Sequence, residues 1–212
     1  MNFVGHSHFA RRIDTAPRFL LGAMLPDLAS MAGTRLIAQD EPTIAAGVRD
    51  HHAVDDVFHA APTFVSLQTW AIEELSGRGM AWGASRAVAH VAPELFLDGL
   101  LLEDEANVEP YVEAVREAGR AETLRSMRFQ SDGAEGFAAV HRRLASYGPP
   151  HGYRDPVFVG DILVRILSGR ARLAIRPEEI PMLQAVLPSL FREVETRASQ
   201  LLGEVRSGLK GS

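Results

Sequence analysis

Apolar residues recur at three- and four-residue intervals along almost the whole chain, and no stretch alternates apolar with polar residues for more than a few positions. A chain patterned in this way buries stripes, not sheet faces, so it folds by packing helix on helix. Arg18–Met31 reads as a helix with Phe19, Leu20, Met24, Leu28 and Met31 on its apolar side. Thr43–His59 follows, with Ile44, Val48, Val54 and Phe58. A third helix starts at Pro62 and stops at Gly77-Arg78-Gly79. Ser85–Leu102 is a long apolar segment in which Pro93 predicts a kink or the true start. Pro110–Arg125 and Gly133–Tyr147 are amphipathic, and Asp155-Pro156 has the form of a cap and first-turn proline for Val157–Leu167. The final segment runs from Pro177 to about Leu202, with breaks expected at Pro181 and Pro188. Ala32–Pro42 and Phe129–Ala134 are the loops expected to be mobile.

Composition sets the rest of the frame. With 212 residues and 46% hydrophobic content, the chain can bury a core without disulfide or metal staples. The expected architecture is therefore an all-α, single-domain helical bundle over residues 1–205, with 206–212 as a flexible tail. The absence of cysteine excludes disulfides, thiolate metal sites and thiol catalysis. A net charge of -5 argues against general nucleic-acid binding. Apolar stretches such as Phe19–Pro26 fall far short of the ~20 residues of a membrane span, and the polar start does not read as a leader, so a soluble cytoplasmic protein is expected.

The polar residues with chemical potential are clustered. His6-Ser7-His8 places two imidazoles on opposite sides of an extended segment but lets them converge in a turn. Asp50-His51-His52-Ala53-Val54-Asp55-Asp56-Val57-Phe58-His59 puts His51, Asp55 and His59 on one helical face, with His52 and Asp56 one step around it. The plain alternative is a solvated polar face, but Val54, Val57 and Phe58 flank the trio. In the apolar helix after it, His90, Glu94 and Asp98 repeat the same spacing. Carboxylates buried there must be paired, hydrogen-bonded or metal-bound. Asp27 closes an apolar run, either as a local cap or as a ligand. Several helices that each turn a His/carboxylate cluster inward form the usual all-α metal centre. Nitrogen and oxygen donors suit Mn²⁺, Fe²⁺, Zn²⁺ or Mg²⁺. Such ions activate water and polarise phosphoryl oxygens, so phosphoester hydrolysis is the natural reaction class.

The order of these motifs resembles the bacterial acyl carrier protein phosphodiesterases. Met1-Asn2-Phe3, His6-x-His8 and Leu20-Leu21-Gly22 leading to Asp27 resemble the start of that family. Gly47-Val48-Arg49-Asp50-His51-His52-Ala53-Val54-Asp55 resembles its Gly-hydrophobic-His-x-His-Arg-x-Ile-Asp segment, and Val88–Leu101 its acidic Val-Ala-Pro helix. The resemblance covers the first half of the chain. It implies an HD-domain-like fold, a divalent cation (typically Mn²⁺), and release of 4′-phosphopantetheine from holo-acyl carrier protein. It implies metal ligation by His6, His8, Asp27, His51, Asp55, Glu94 and Asp98, proton transfer by His52 or His59, and substrate contact by Asn2 and Arg49. Acidic acyl carrier protein would dock on arginines, for which Arg11-Arg12, Arg142-Arg143 and Arg165/Arg170/Arg172/Arg176 are candidates. Three positions depart from the family pattern: Arg49 replaces a His, His59 an acid, and Gly99 a His. A related hydrolase for another phosphoester, or a helical binding module without chemistry, are the alternatives these departures leave open.

Overall fold

A computed structural model describes residues 1–130 and 133–211. Among the described residues the chain is all-α: ten α-helices, two short 3-10 turns and one pair of short strands. In order these are α1 (Phe3–Ala10), α2 (Pro17–Met31), β1 (Leu36–Gln39), α3 (Pro42–Ala60), α4 (Pro62–Gly77), α5 (Trp82–Leu101), α6 (Glu105–Ala118), α7 (Ala121–Ser126), β2 (Met127–Phe129), α8 (Gly133–Tyr147), α9 (Pro156–Leu167) and α10 (Ile180–Gly208). The 3-10 turns are His151–Arg154 and Pro177–Glu179.

The chain forms two compact units, each made from separated stretches. The first comprises Met1–Asp56 and Leu101–Pro150, the second Val57–Leu100 and His151–Ser212. In the first, α2 packs on α1, α6 and α8, and α6 also packs on α1 and α8. Its core includes Phe3, Leu20, Leu21, Met24, Ile44, Tyr111 and Phe137, all nearly inaccessible to water. In the second, α10 packs on α4 and α9. Its core includes Phe64, Leu67, Leu183, Leu187 and Leu190. Each such fully buried apolar side chain contributes about 1.5–3 kcal/mol.

The termini of the helices follow local chemistry. Asp104 caps α6 by accepting from the Ala106 N–H at 3.0 Å, and Asp155 caps α9 by accepting from the Val157 N–H at 2.9 Å. Glu179 accepts from the backbone N–H of Arg176 at 2.8 Å and of Ala81 at 2.6 Å, and from the Arg176 guanidinium at 2.9 Å. One buried carboxylate thus ties the residue before α5 to the start of the last segment.

The expected all-helical class holds, with local corrections. The N-terminal His-x-His lies on a helix, α1. Pro93 does not start a helix, because α5 begins at Trp82 and continues through it. The segment expected to start at Pro110 starts at Glu105, and it divides at Gly119-Arg120 because Arg120 is extended. Pro181 lies in the first turn of α10 and Pro188 inside it without ending it. A proline in a first turn deletes an N–H that has no helical acceptor in any case. The tail expected from 206 is helical to Gly208; its last residue, Ser212, lies outside the described residues. The Ala32–Pro42 loop contains β1, which pairs antiparallel with β2 across a bulge (Leu36↔Phe129, Gln39↔Met127). Within Phe129–Ala134, Phe129 stacks on Phe137 at 4.8 Å, and residues 131 and 132 lie outside the described residues. No helix is long and apolar enough to cross a membrane among the described residues.

Candidate metal centre

The centre in the first unit depends on a close helix crossing. A Cβ on Gly47 of α3 would lie 2.1 Å from the Phe19 carbonyl oxygen of α2, and one on Gly22 would lie 2.2 Å from the Ile44 oxygen. Both obstacles are backbone, so only glycine at both positions permits the approach. One turn beyond Gly47, His51 reaches Ala23, the neighbour of Gly22, and its Nδ1 lies 2.8 Å from the Ala23 carbonyl oxygen. That carbonyl requires Nδ1–H, which leaves Nε2 of His51 as a lone-pair donor. Tautomer selection through the distal nitrogen is the usual way a protein orients an imidazole ligand.

His51 Nε2 lies 3.7 Å from Asp55 Oδ2, one turn on along α3. His6 enters from α1, its ring stacked on that of His51 with centroids 3.8 Å apart. Its Nε2 is 3.2 Å from Asp55 Oδ1 and 3.8 Å from Asp27 Oδ2, the latter contributed by α2. One donor atom from each of His6, Asp27 and His51 falls within 4.8 Å of the others. His6 and His51 are buried, whereas Asp27 and Asp55 keep partial access to solvent. Neighbouring ligands around an ion with ~2.1 Å bonds stand about 3 to 3.4 Å apart. The measured gaps therefore lie within about half an ångström of a coordination shell.

The charge states suit that use. Burial, and then the neighbouring His6, push His51 down to about 3, so it is neutral, as a ligand imidazole must be. Burial pushes the Asp55 carboxyl up, but the His6 contact and the Met1 amine, which donates to Oδ1 at 2.9 Å, hold it well below the carboxylate range.

His8 leaves this set. On α1 it lies about 200° around the axis from His6, and its Nδ1 is 2.9 Å from Asn107 Oδ1. Arg11 also donates to Asn107, and Arg12 pairs with the buried carboxylate of Asp50, so neither is spare for docking a partner. Asn2 directly precedes α1, half-buried, and Arg49 is exposed on α3. His52 is exposed beside His51, ring edge to face at 5.2 Å.

In the second unit, Glu94 belongs to another group of donors. His59, His90 and Glu94 each place one donor atom within 4.8 Å of the others. Asp98 is fully buried one turn after Glu94 on α5. Gly99 has a physical reason to lack a side chain: a Cβ there would meet the backbone of Tyr153 and Arg154 at 2.7 and 2.8 Å. His90 was not among the expected ligands, although its i, i+4 spacing to Glu94 is readable from the sequence.

No protein-family model matches the chain, and no curated protein and no solved structure matches it.

Proposed function

We propose that the chain is a divalent-metal-dependent phosphodiesterase of the acyl carrier protein phosphodiesterase type, HD-domain-like and working in the cytoplasm. Its reaction would be hydrolysis of the 4′-phosphopantetheine diester on the serine of holo-acyl carrier protein. The observation that carries this reading is the convergence of His6, Asp27 and His51 from three helices, with Asp55 against both imidazoles. These four are among the seven positions the motif resemblance assigns to metal ligation; His8 turns to Asn107 and Glu94 groups with His59 and His90.

The donor set fits a divalent cation: two imidazoles and two carboxylates, with His51 held neutral and in one tautomer. A cation bound there, Mn²⁺ by the resemblance, supplies Lewis acidity to a phosphoryl oxygen and acidifies water. His51 presents a nitrogen lone pair, His6 would have to release the Nε2–H that its 3.1 Å contact with the Met1 carbonyl oxygen requires, and Asp27 and Asp55 supply the negative charge that selects a cation over a neutral ligand. Water adds to phosphorus and gives up a proton to solvent, the P–O bond to serine breaks, and the serine oxygen takes a proton. His52, exposed beside His51, is suited to give that proton. Arg49, the substrate contact of the resemblance, is exposed but lies about 200° around α3 from His51, as His8 does from His6 on α1, so we assign it no contact with the phosphate. Exposed Arg142 and Arg143 are the docking cations we assign in this unit, and Arg165, Arg170 and Arg172 those in the other.

Metal content after purification without chelator, followed by Mn²⁺ titration of stripped protein, tests the reading. Wild type should bind near-stoichiometrically, and His51→Ala and Asp27→Asn should each weaken binding at least about tenfold with helical circular dichroism retained. Unchanged Mn²⁺ binding in both variants removes the centre. With metal loaded, mass spectrometry of holo-acyl carrier protein should show loss of 4′-phosphopantetheine. Turnover of a generic phosphodiester with none of holo-acyl carrier protein would favour the second reading, a related hydrolase for another phosphoester. Arg49 and His59 are the departures that favour that reading, since Gly99 has a packing reason of its own.

A further inference from the structure

Glu94 is buried in a helix rich in leucine and alanine, and two imidazoles converge on one of its oxygens. His59 Nε2 lies 3.1 Å from Glu94 Oε1, and His90 Nε2 lies 3.5 Å from the same atom. His59 comes from the last turn of α3, while His90 and Glu94 share a face of α5 one turn apart. The two rings stack with centroids 4.9 Å apart and planes 17° from parallel, so both present Nε2 toward the carboxylate. Phe64 stands edge-on to both, at 5.4 Å from His59 and 5.9 Å from His90. The carboxylate is withdrawn from water, with 11% side-chain exposure, but the imidazoles are reachable at 32% and 46%. An ion can therefore approach from solvent while its anionic ligand stays desolvated.

The spacing is informative. Ligands on a tetrahedral zinc-class ion, with bonds of ~2.05 Å, stand about 3.3 Å from one another. The observed 3.1 and 3.5 Å bracket that edge. The distal nitrogen of His90 is also held, since its Nδ1 lies 2.8 Å from the side-chain amide of Gln68 on α4. The Gln68 amide N–H donates to Nδ1, so the ring proton sits on Nε2 facing Glu94; a cation would displace that proton, and a turn of the Gln68 amide would let its Oε1 accept from Nδ1–H in the bound form.

We infer that His59, His90 and Glu94 form a second cation site, a two-histidine, one-glutamate set for zinc-class divalent ions. Three protein donors leave one tetrahedral position for an outside ligand. Mg²⁺ is disfavoured, because two of three donors are nitrogen and that ion prefers oxygen. The inference stands on this unit alone and does not need the proposed phosphodiesterase activity.

The test uses the full chain, Co²⁺ as a visible probe and Zn²⁺ as its competitor. Wild type should take up two equivalents. His90→Ala, at an exposed position that does not threaten folding, should lose one equivalent or bind it at least about tenfold more weakly, and should keep the equivalent that depends on His51. His51→Ala should keep the equivalent that His90→Ala removes. Gln68→Ala should weaken that equivalent by about 10–100-fold without abolishing it. His90→Cys should restore binding and add thiolate-to-cobalt charge-transfer absorption. A His51→Ala protein that binds no Co²⁺ or Zn²⁺, or a His90→Ala protein identical to wild type, overturns the inference and reduces the cluster to a hydrogen-bonded pair of imidazoles on a carboxylate. One equivalent sensitive to His90 alone would sustain this site while removing the phosphodiesterase centre.

Discussion

Single residues decide what the first unit can hold. Gly22 and Gly47 face each other where every competing atom is backbone, so relief by a rotamer change is impossible. Gly47→Ala should lower stability by about 3 kcal/mol or more, at the upper end of overpacking costs. It should also weaken Mn²⁺ binding, because it separates the Ala23 carbonyl from the His51 ring; denaturant midpoints and metal titration on one sample check both. Glu179 offers a pH-resolved case. The Arg176 guanidinium, opposed by burial, and two backbone N–H groups hold its carboxyl down to about 2 from the ordinary 4.5. Its folded value lies below the unfolded one, so its stabilisation is complete above about 4.5 and is lost as pH falls toward 2. Glu179→Gln should cost about 1–3 kcal/mol at neutral pH. The gap between variant and wild type should narrow steadily in unfolding curves recorded from pH 5 down to 2. A gap independent of pH would mean that the charge contributes nothing.

At the scale of elements, the sequence was readable where a helix has two unlike faces. The extents of α2, α3, α4, α8 and α9 follow from apolar spacing and from proline and glycine at their ends. α1 was missed because all of it except His8 is buried, leaving no stripe to detect. That omission also misplaced His8: two residues apart converges in a turn but diverges on a helix. The β1–β2 pair joins residues about ninety positions apart, beyond any local pattern. The His51–Asp55 contact was visible as i, i+4 spacing. The parts of the sites that come from other helices, His6 and Asp27 in one case and His59 with Gln68 in the other, needed tertiary structure to group them. The same argument explains Gly99, which looked like a lost ligand and is instead a seat for the turn at Tyr153–Arg154. Gly99→His should therefore destabilise the protein and yield no gain in metal affinity, as thermal unfolding and titration would show.

At the scale of the whole molecule, each unit is assembled from stretches that are not adjacent in sequence. α1 and α2 pack against α6, and α4 packs against α10. A fragment ending at Leu100 lacks α6, α8, α9 and α10, and so lacks the cover for both sets of early helices. It should fail to unfold cooperatively, which circular dichroism against denaturant would reveal. For the full chain, metal that binds only the folded state should raise stability by about 2.7 kcal/mol at a hundredfold excess over Kd. Absence of any shift with either Mn²⁺ or Zn²⁺ would contradict both cation sites.

This interleaving has a consequence during synthesis. Met1–Asp56 leaves the ribosome well before Leu101–Pro150, the stretch that completes its unit. At about 5–20 residues per second, the roughly sixty residues from Val57 to the end of α6 at Ala118 take some 3–12 s to make. Throughout that wait the apolar sides of α1 and α2 have no α6 to meet. The nascent chain thus carries uncovered apolar helix faces, and the rate of translation between Val57 and Ala118 sets how long they stay uncovered.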